Sequence, residues 1–259
     1  QQLNPNANLI VAPSDHLIED QPLFEKTCLE ALDFTEKNNA FVTLGIKPTY
    51  ANTGYGYIEY EKTQMAVANH PVKRFTEKPT AEMAGVFIES GNFLWNAGIF
   101  IWKTKDIIEA FRNYMPEMFD IFICGVSEFN GPFEKAAVKH IFKYCESVSI
   151  DYAIMEKAKN IFVIPADFTW SDLATRNSAW EISEKDNEQN AVAGDNTLMV
   201  DAKGCIVHSN DKKLLLIGGV EDLIIVNTSD ALLICKKENE QQIKEYLGKV
   251  KLTKGELYL

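Results

Sequence analysis

Apolar positions along this chain change their spacing repeatedly, and each change marks a different kind of element. The run Leu9-Ile10-Val11-Ala12 is too short for a helix and reads as a strand buried on both faces. Pro13 ends it, and Ser14-Asp15-His16 follow at its carboxyl end. From Gln21 to Lys37, apolar residues at Leu23, Phe24, Cys28, Leu29, Leu32 and Phe34 follow helical spacing. Asp20 offers the N-cap, Pro22 suits the first turn, and Asn38-Asn39 close the helix. Phe41–Ile46 is β-rich again. The first unit is therefore strand–helix–strand, and the right-handed crossover rule makes its two strands parallel.

A polar loop, Lys47–Asn52, leads into Thr53-Gly54-Tyr55-Gly56-Tyr57-Ile58, and Val72–Thr76 forms a short strand ending in Glu77-Lys78-Pro79. Thr80–Ser90 reads as a helix closed by Gly91. The most apolar strand candidate is Phe93–Trp102, interrupted by Asn96-Ala97-Gly98. Helices are expected over Lys105–Tyr114, Pro116–Cys124 and Pro132–Glu146, each proline suiting a helix start. Ser149–Lys157 reads as a short helix with Ser149 as its N-cap. Ile161–Pro165 is a further strand, and Ser171 offers a cap for a helix running to Glu181.

Beyond Asn190 the texture changes. Leu198–Val200, Cys205–His208, Leu214–Ile217, Asp222–Asn227 and Ala231–Lys236 are short β-rich runs separated by Gly, Asp and Ser turns. A final helix over Glu238–Val250 shows Ile243, Tyr246, Leu247 and Val250 on one face. The pattern predicts an α/β domain over residues 1–183 and a small β-roll or β-helix-like domain with a terminal helix over residues 184–259.

Composition narrows the function. The 259 residues are 46% hydrophobic and 24% charged, as in ordinary globular proteins. A net charge of −11 argues against nucleic acid and anionic membrane surfaces as partners. The five cysteines are scattered without a C-x-x-C pair, which suits reduced, buried thiols and a cytoplasmic location. No apolar run reaches membrane-spanning length. No G-x-G-x-x-G or G-x-x-x-x-G-K-[ST] occurs in the chain.

Several residues are candidates for chemistry, each with a plainer alternative. Asp15 stands outside the carboxyl end of a strand, where α/β sheets bind ligands, and a carboxylate there can hold a metal against a phosphate. It could instead cap the next helix, but Asp20 is the better cap. Gly56 allows close backbone approach to a ligand, or simply serves a bulge. Glu77 and Lys78, side by side at a strand end, point in different directions and can divide hydroxyl from phosphate recognition; a solvated turn is the alternative. Asn96 within an apolar run must find partners or face a ligand. Asp151 can complement a helix dipole or serve a site, and Asp172 sits near a helix start. His16 is expected to support its loop rather than bind metal, since no second histidine stands at ligand spacing.

Taken together, PSDH, TGYGYI, F-x-EKP, LWNAG, SIDYAIMEK and WSDL resemble the mannose-1-phosphate guanylyltransferases, a branch of the sugar-nucleotidyltransferase superfamily. The closing DLIIVNTSDALLICKKE is similar to that family's C-terminal β-region. The resemblance implies a Rossmann-like mixed sheet and a reaction in which mannose 1-phosphate attacks the α-phosphorus of GTP, giving GDP-mannose and pyrophosphate. By the same matching, Asp15 and Asp172 would hold Mg²⁺, Glu77 would bind sugar hydroxyls, and Lys78 the sugar phosphate. Gly56 and Asn96 would line the sugar pocket, with Asp151 near the sugar. A homodimer is expected, with the C-terminal β-region contributing contacts.

Two departures temper the match. The family's glycine-rich nucleotide loop, with its T-R-L-W-P-like run, has no counterpart here, so the chain resembles the family without its N-terminal portion and is expected to be inactive by itself. Family members follow WSDL with Gly and, two residues later, Trp, where this chain has Ala174 and Arg176. The rival readings are a sugar-1-phosphate nucleotidyltransferase using UTP or dTTP, and a non-catalytic sugar-phosphate-binding homologue.

Overall fold

The computed structural model describes residues 3–4, 6–62, 69–172 and 183–255. Ala174, Arg176 and the helix expected to run to Glu181 lie outside the described residues. The chain divides into two compact units, Gln1–Ser14 with Ile18–Trp170, and Asp15–Leu17 with Ser171–Leu259.

The first unit is a mixed six-stranded sheet with helices. Its strands are β1 (Asn8–Val11), β3 (Phe41–Ile46), β4 (Tyr57–Tyr60), β5 (His70–Thr76), β6 (Phe93–Lys103) and β7 (Ile161–Ala166), in the order β1-β6-β3-β7-β5-β4. Two short strands, β2 (Leu17–Ile18) and β8 (Trp170–Ser171), pair only with each other. β3 is buried at all six residues, as a central strand covered on both faces must be. Its alternation sorts two cores. Val42, Leu44 and Ile46 join Trp95, Ile99 and Ile101 on one face, with Leu23, Phe24 and Leu32 packed against them. Phe41 joins Phe100, Trp102, Ile107 and Ile154 in the other.

β1 and β3 both pair antiparallel with β6. They therefore run parallel to each other, as the crossover rule requires, but with β6 between them. β1 itself departs from expectation. It closes one end of the sheet order, and Leu9, Ile10 and Val11 are exposed, Ile10 at 42%, rather than buried on both faces. A buried centre and an apolar edge have the same short apolar run, so the run cannot separate them.

The helices form where the apolar spacing puts them. α1 (Gln21–Lys37) starts at Asp20, whose carboxylate accepts from the Leu23 N–H at 3.2 Å. That settles the capping role on Asp20 and leaves Asp15 out of it. α2 (Ala81–Ser90) is capped by Thr80 and closed by Gly91, with α3 (Thr104–Tyr114), α4 (Pro116–Cys124) and α5 (Glu134–Ile141) following. α5 is shorter than the expected Pro132–Glu146.

The second unit contains β9 (Ala191–Ala193), β10 (Thr197–Val200), β11 (Ile206–Ser209), β12 (Leu215–Gly218), β13 (Leu223–Asn227) and β14 (Leu232–Lys236). β9, β11 and β13 pair in parallel, as do β10 and β12, while β14 closes antiparallel on β13. Parallel pairing of strands only a turn apart is the signature of a β-helical coil. A buried asparagine pins it: Asn190 donates to Ala202 C=O at 2.8 Å and accepts from Cys205 N–H at 2.9 Å. The last helix, α6, runs over Ile243–Lys254 after a 3₁₀ segment from Lys237, later than expected and extending past Val250.

Among the described residues, no helix is long and apolar enough to cross a membrane.

Candidate functional site

Two groups of the expected residues come together, one in each unit. In the first unit, the LWNAG interruption is a kink in β6. Gly98 takes φ 66°, a left-handed conformation that glycine adopts without strain. Asn96 holds the kink, its Oδ1 accepting from Gly98 N–H at 3.0 Å and from Thr43 Oγ1 at 3.4 Å. Its other side is then free to turn outward, and Asn96 Nδ2 donates to Asp151 Oδ1 at 2.7 Å. The polar residue inside the apolar run thus has its partners, and one of them is another candidate residue.

Asp151 begins a π-helical turn, Asp151–Met155, rather than the α-helix expected over Ser149–Lys157. The Glu156 N–H donates to Asp151 C=O at 2.9 Å, five residues back. π turns are rare and gather at functional sites. This one buries Ala153, Ile154 and Met155 while leaving Tyr152 and Glu156 exposed.

Glu77 and Lys78 do not diverge as a strand end suggests. Lys78 adopts φ 45°, unusual for a residue with a side chain, and its Nζ lies 3.4 Å from Glu77 Oε1. Left-handed backbone at the second residue swings both side chains to one side. Gly56 completes the cluster: a Cβ there would collide with Glu77 Oε2. The Gly56 carbonyl also accepts from Asn96 N–H at 2.8 Å, so Gly56, Glu77, Asn96 and Asp151 form one contiguous group.

Electrostatics tie the group together. Burial pushes the Glu77 carboxyl up; the Lys78 ammonium opposes this and the Asp151 charge adds to it. Asp151 is also pushed up by burial, against the stabilising hydrogen bond from Asn96. Glu156 is raised by desolvation and then by Asp151 and Glu77. The carboxylates of Glu77, Asp151 and Glu156 can accept hydrogen bonds from hydroxyls, and the Lys78 ammonium among them can donate to an anion. Glu156 was missed from sequence because it shares a face with Asp151, five residues back, only in a π turn, and nothing in the apolar spacing announces one.

In the second unit, Asp15 and Asp172 both lie near enough to His16 for their charges to act on its imidazole. Burial lowers the His16 imidazole, while the carboxylates of Asp15 and then Asp172 pull it upward. Asp172 directly follows β8, and Asp15 stands two residues before β2, the strand that pairs with it. Among the described residues, no group of three or more His, Cys, Asp or Glu side chains forms a cage for a metal ion. Such a pair of hard carboxylates suits the chemistry of Mg²⁺, which typically takes one or two carboxylates and fills its remaining positions with water and substrate phosphate.

The nucleotidyl transferase family model matches residues 1–189, and this chain belongs to that family. A second model, the MannoseP isomerase/GMP-like beta-helix domain, matches residues 195–250. The chain is 34% identical to a mannose-1-phosphate guanylyltransferase of Escherichia coli over 92% of its own length and 50% of that protein's. It is 35% identical to a mannose-1-phosphate guanylyltransferase of Salmonella montevideo over 96% of this chain and 54% of the relative. It spans about half the length of the curated relatives it matches. The fold is shared with a crystal structure from Thermus thermophilus described as a mannose-1-phosphate geranyltransferase, with a TM-score of 0.76 and 24% identity, covering 94% of this chain and 70% of that one.

Proposed function

We propose that this chain belongs to an enzyme that transfers GMP from GTP to mannose 1-phosphate, releasing pyrophosphate and forming GDP-mannose. The observation that carries the reading is the cluster of Gly56, Glu77, Lys78, Asn96 and Asp151, in a chain about a third identical to guanylyltransferases. A hexose phosphate needs hydroxyl acceptors and one cation together, and this cluster supplies both. Glu77 and Asp151 accept sugar hydroxyls, Lys78 exchanges Glu77 for the sugar phosphate, and Asn96 keeps Asp151 aimed. Asp15 and Asp172 would hold Mg²⁺. Bound there, the ion would offset phosphate charge and orient the phosphates for in-line attack, in which a sugar-phosphate oxygen bonds to the α-phosphorus and the pyrophosphate oxygen leaves.

Guanine as the base, a cytoplasmic location and a homodimer are parts of the same reading. The scattered, free cysteines support the reducing compartment, though only Cys28 and Cys205 are buried as expected and Cys124 is exposed. The outward ladder of Leu198 beside Leu216, 52% and 62% exposed on paired strands, supports an apolar face that a second copy covers.

The test is direct. The purified chain should bind mannose 1-phosphate weakly and show no pyrophosphate release with GTP·Mg²⁺, since these residues hold no glycine-rich phosphate loop. Absence of binding by any hexose 1-phosphate would sink the sugar reading. Turnover with micromolar GTP affinity would show that the triphosphate is held within these 259 residues.

A further inference from the structure

Exposed tyrosines are ordinary, so one on the surface needs a reason to be singled out. Tyr152 has three. It follows Asp151 on the π turn, and that turn sends the next three residues inward while leaving Tyr152 47% exposed. Its neighbour Asp151 is fixed by the 2.7 Å hydrogen bond from Asn96, so the first residue of the turn is anchored in the cluster. Beyond its own desolvation, its phenol also feels the charges of Glu77, Glu156, Lys78 and Asp151 together. Among the described residues, the phenol oxygen makes no hydrogen bond.

We propose that Tyr152 is a substrate-contacting residue of the sugar subsite, its ring lying against the apolar C–H face of a hexose whose hydroxyls meet Glu77 and Asp151. This rests on the sugar-phosphate reading of the cluster and deepens it. The chemistry is specific. A pyranose has a polar rim and an apolar face, and carboxylates satisfy only the rim. An aromatic ring beside those carboxylates satisfies the face, and its size favours a six-membered sugar over a bare phosphate or a short polyol phosphate. The rare turn thereby has a purpose, because an α-helical turn would part Glu156 from Asp151.

The experiment compares the full chain with Tyr152→Ala and Tyr152→Phe by ligand-observed NMR, using mannose 1-phosphate, glycerol 3-phosphate and inorganic phosphate as probes. Tyr152→Ala should weaken mannose 1-phosphate about tenfold and leave the other two probes within about twofold, while Tyr152→Phe retains the sugar affinity. Upfield ring-current shifts of the mannose C–H protons should appear with the parent chain and Tyr152→Phe, and vanish with Tyr152→Ala. Unchanged mannose 1-phosphate binding by Tyr152→Ala overturns the role of Tyr152 while leaving the sugar site standing. An equal loss for all three probes shows a general disturbance and overturns it too. If the parent chain binds no hexose 1-phosphate, the sugar reading itself fails and takes this contact with it.

Discussion

Glu77 Oε2 occupies the space into which a side chain on Gly56 would grow. The glycine therefore sets where the carboxylate stands, and it does so by what it lacks. Gly56→Ala should displace Glu77 rather than unfold the protein, because a carboxylate next to an open site can move. The expected result is about tenfold weaker mannose 1-phosphate binding, ~1.4 kcal/mol, with little change in melting temperature. Unchanged affinity in a calorimetric titration would show that Glu77 takes no part.

Asn96 is the hinge of the cluster, and Asn96→Asp tests it without changing its size. The substitution replaces the donor that faces Asp151 with a second acceptor, removing a hydrogen bond to a charged group worth roughly 1.5–3 kcal/mol. Two facing carboxylates share a proton, so Asp151 should be pushed up further than it already is. Urea denaturation should find the variant near parent stability at low pH and increasingly weaker as pH rises. A pH-independent deficit would argue against the pair.

Glu77 carries a pH signature of its own. Its folded carboxyl is raised above the ordinary value of 4.5, so the folded protein keeps a proton that the unfolded chain releases. That contribution to stability is present below the ordinary value and is lost as pH rises through the raised one. Glu77→Gln removes the titration. Its melting temperature should therefore fall less than the parent's between about pH 4 and pH 7, in parallel with loss of sugar binding. Identical pH profiles for the two proteins would contradict the burial of this carboxylate.

For the proposed metal pair, Asp15→Asn and Asp172→Asn in the full-length enzyme should each lower pyrophosphate release by at least about 10²-fold. Chelation with EDTA should reproduce the loss in the parent, and added Mg²⁺ should restore it. Full activity in Asp172→Asn would remove that residue from the metal site.

The proposed dimer is tested on the paired strands β10 and β12. Replacing Leu198 and Leu216 together by lysine should shift the light-scattering mass to that of one chain, without altering the folded circular dichroism signal. A dimer that survives the double substitution uses another surface.

Most helices and the longer strands were legible along the chain because apolar spacing and capping residues are local signals, whereas the order of strands in the sheet was not. Asp20 caps α1 as its side chain predicts, and Gly91 closes α2 at a φ of 68° that its lack of a side chain allows. Asn96 was legible as a residue in need of partners, though not which ones, since Asp151 is 55 residues away. What escaped was set by backbone angles. The φ of 45° at Lys78 brings together side chains that an extended strand would part, and the π turn gathers residues at a spacing that no helical pattern displays.

The division of the chain has a genetic corollary. The compact unit that holds Ser171–Leu259 also takes in Asp15–Leu17, a tripeptide encoded far upstream. A crossover between two related genes near codon 170 would splice one parent's Asp15 to the other's Asp172 and leave His16 between carboxylates of mixed ancestry. Chimaeras joined at the visible junction would inherit an unmatched pair, whereas those that also exchange the Asp15–Leu17 codons would inherit an intact one. The boundary at Trp170 is therefore the wrong place to cut, whereas a junction after residue 183 would take both aspartates from one parent.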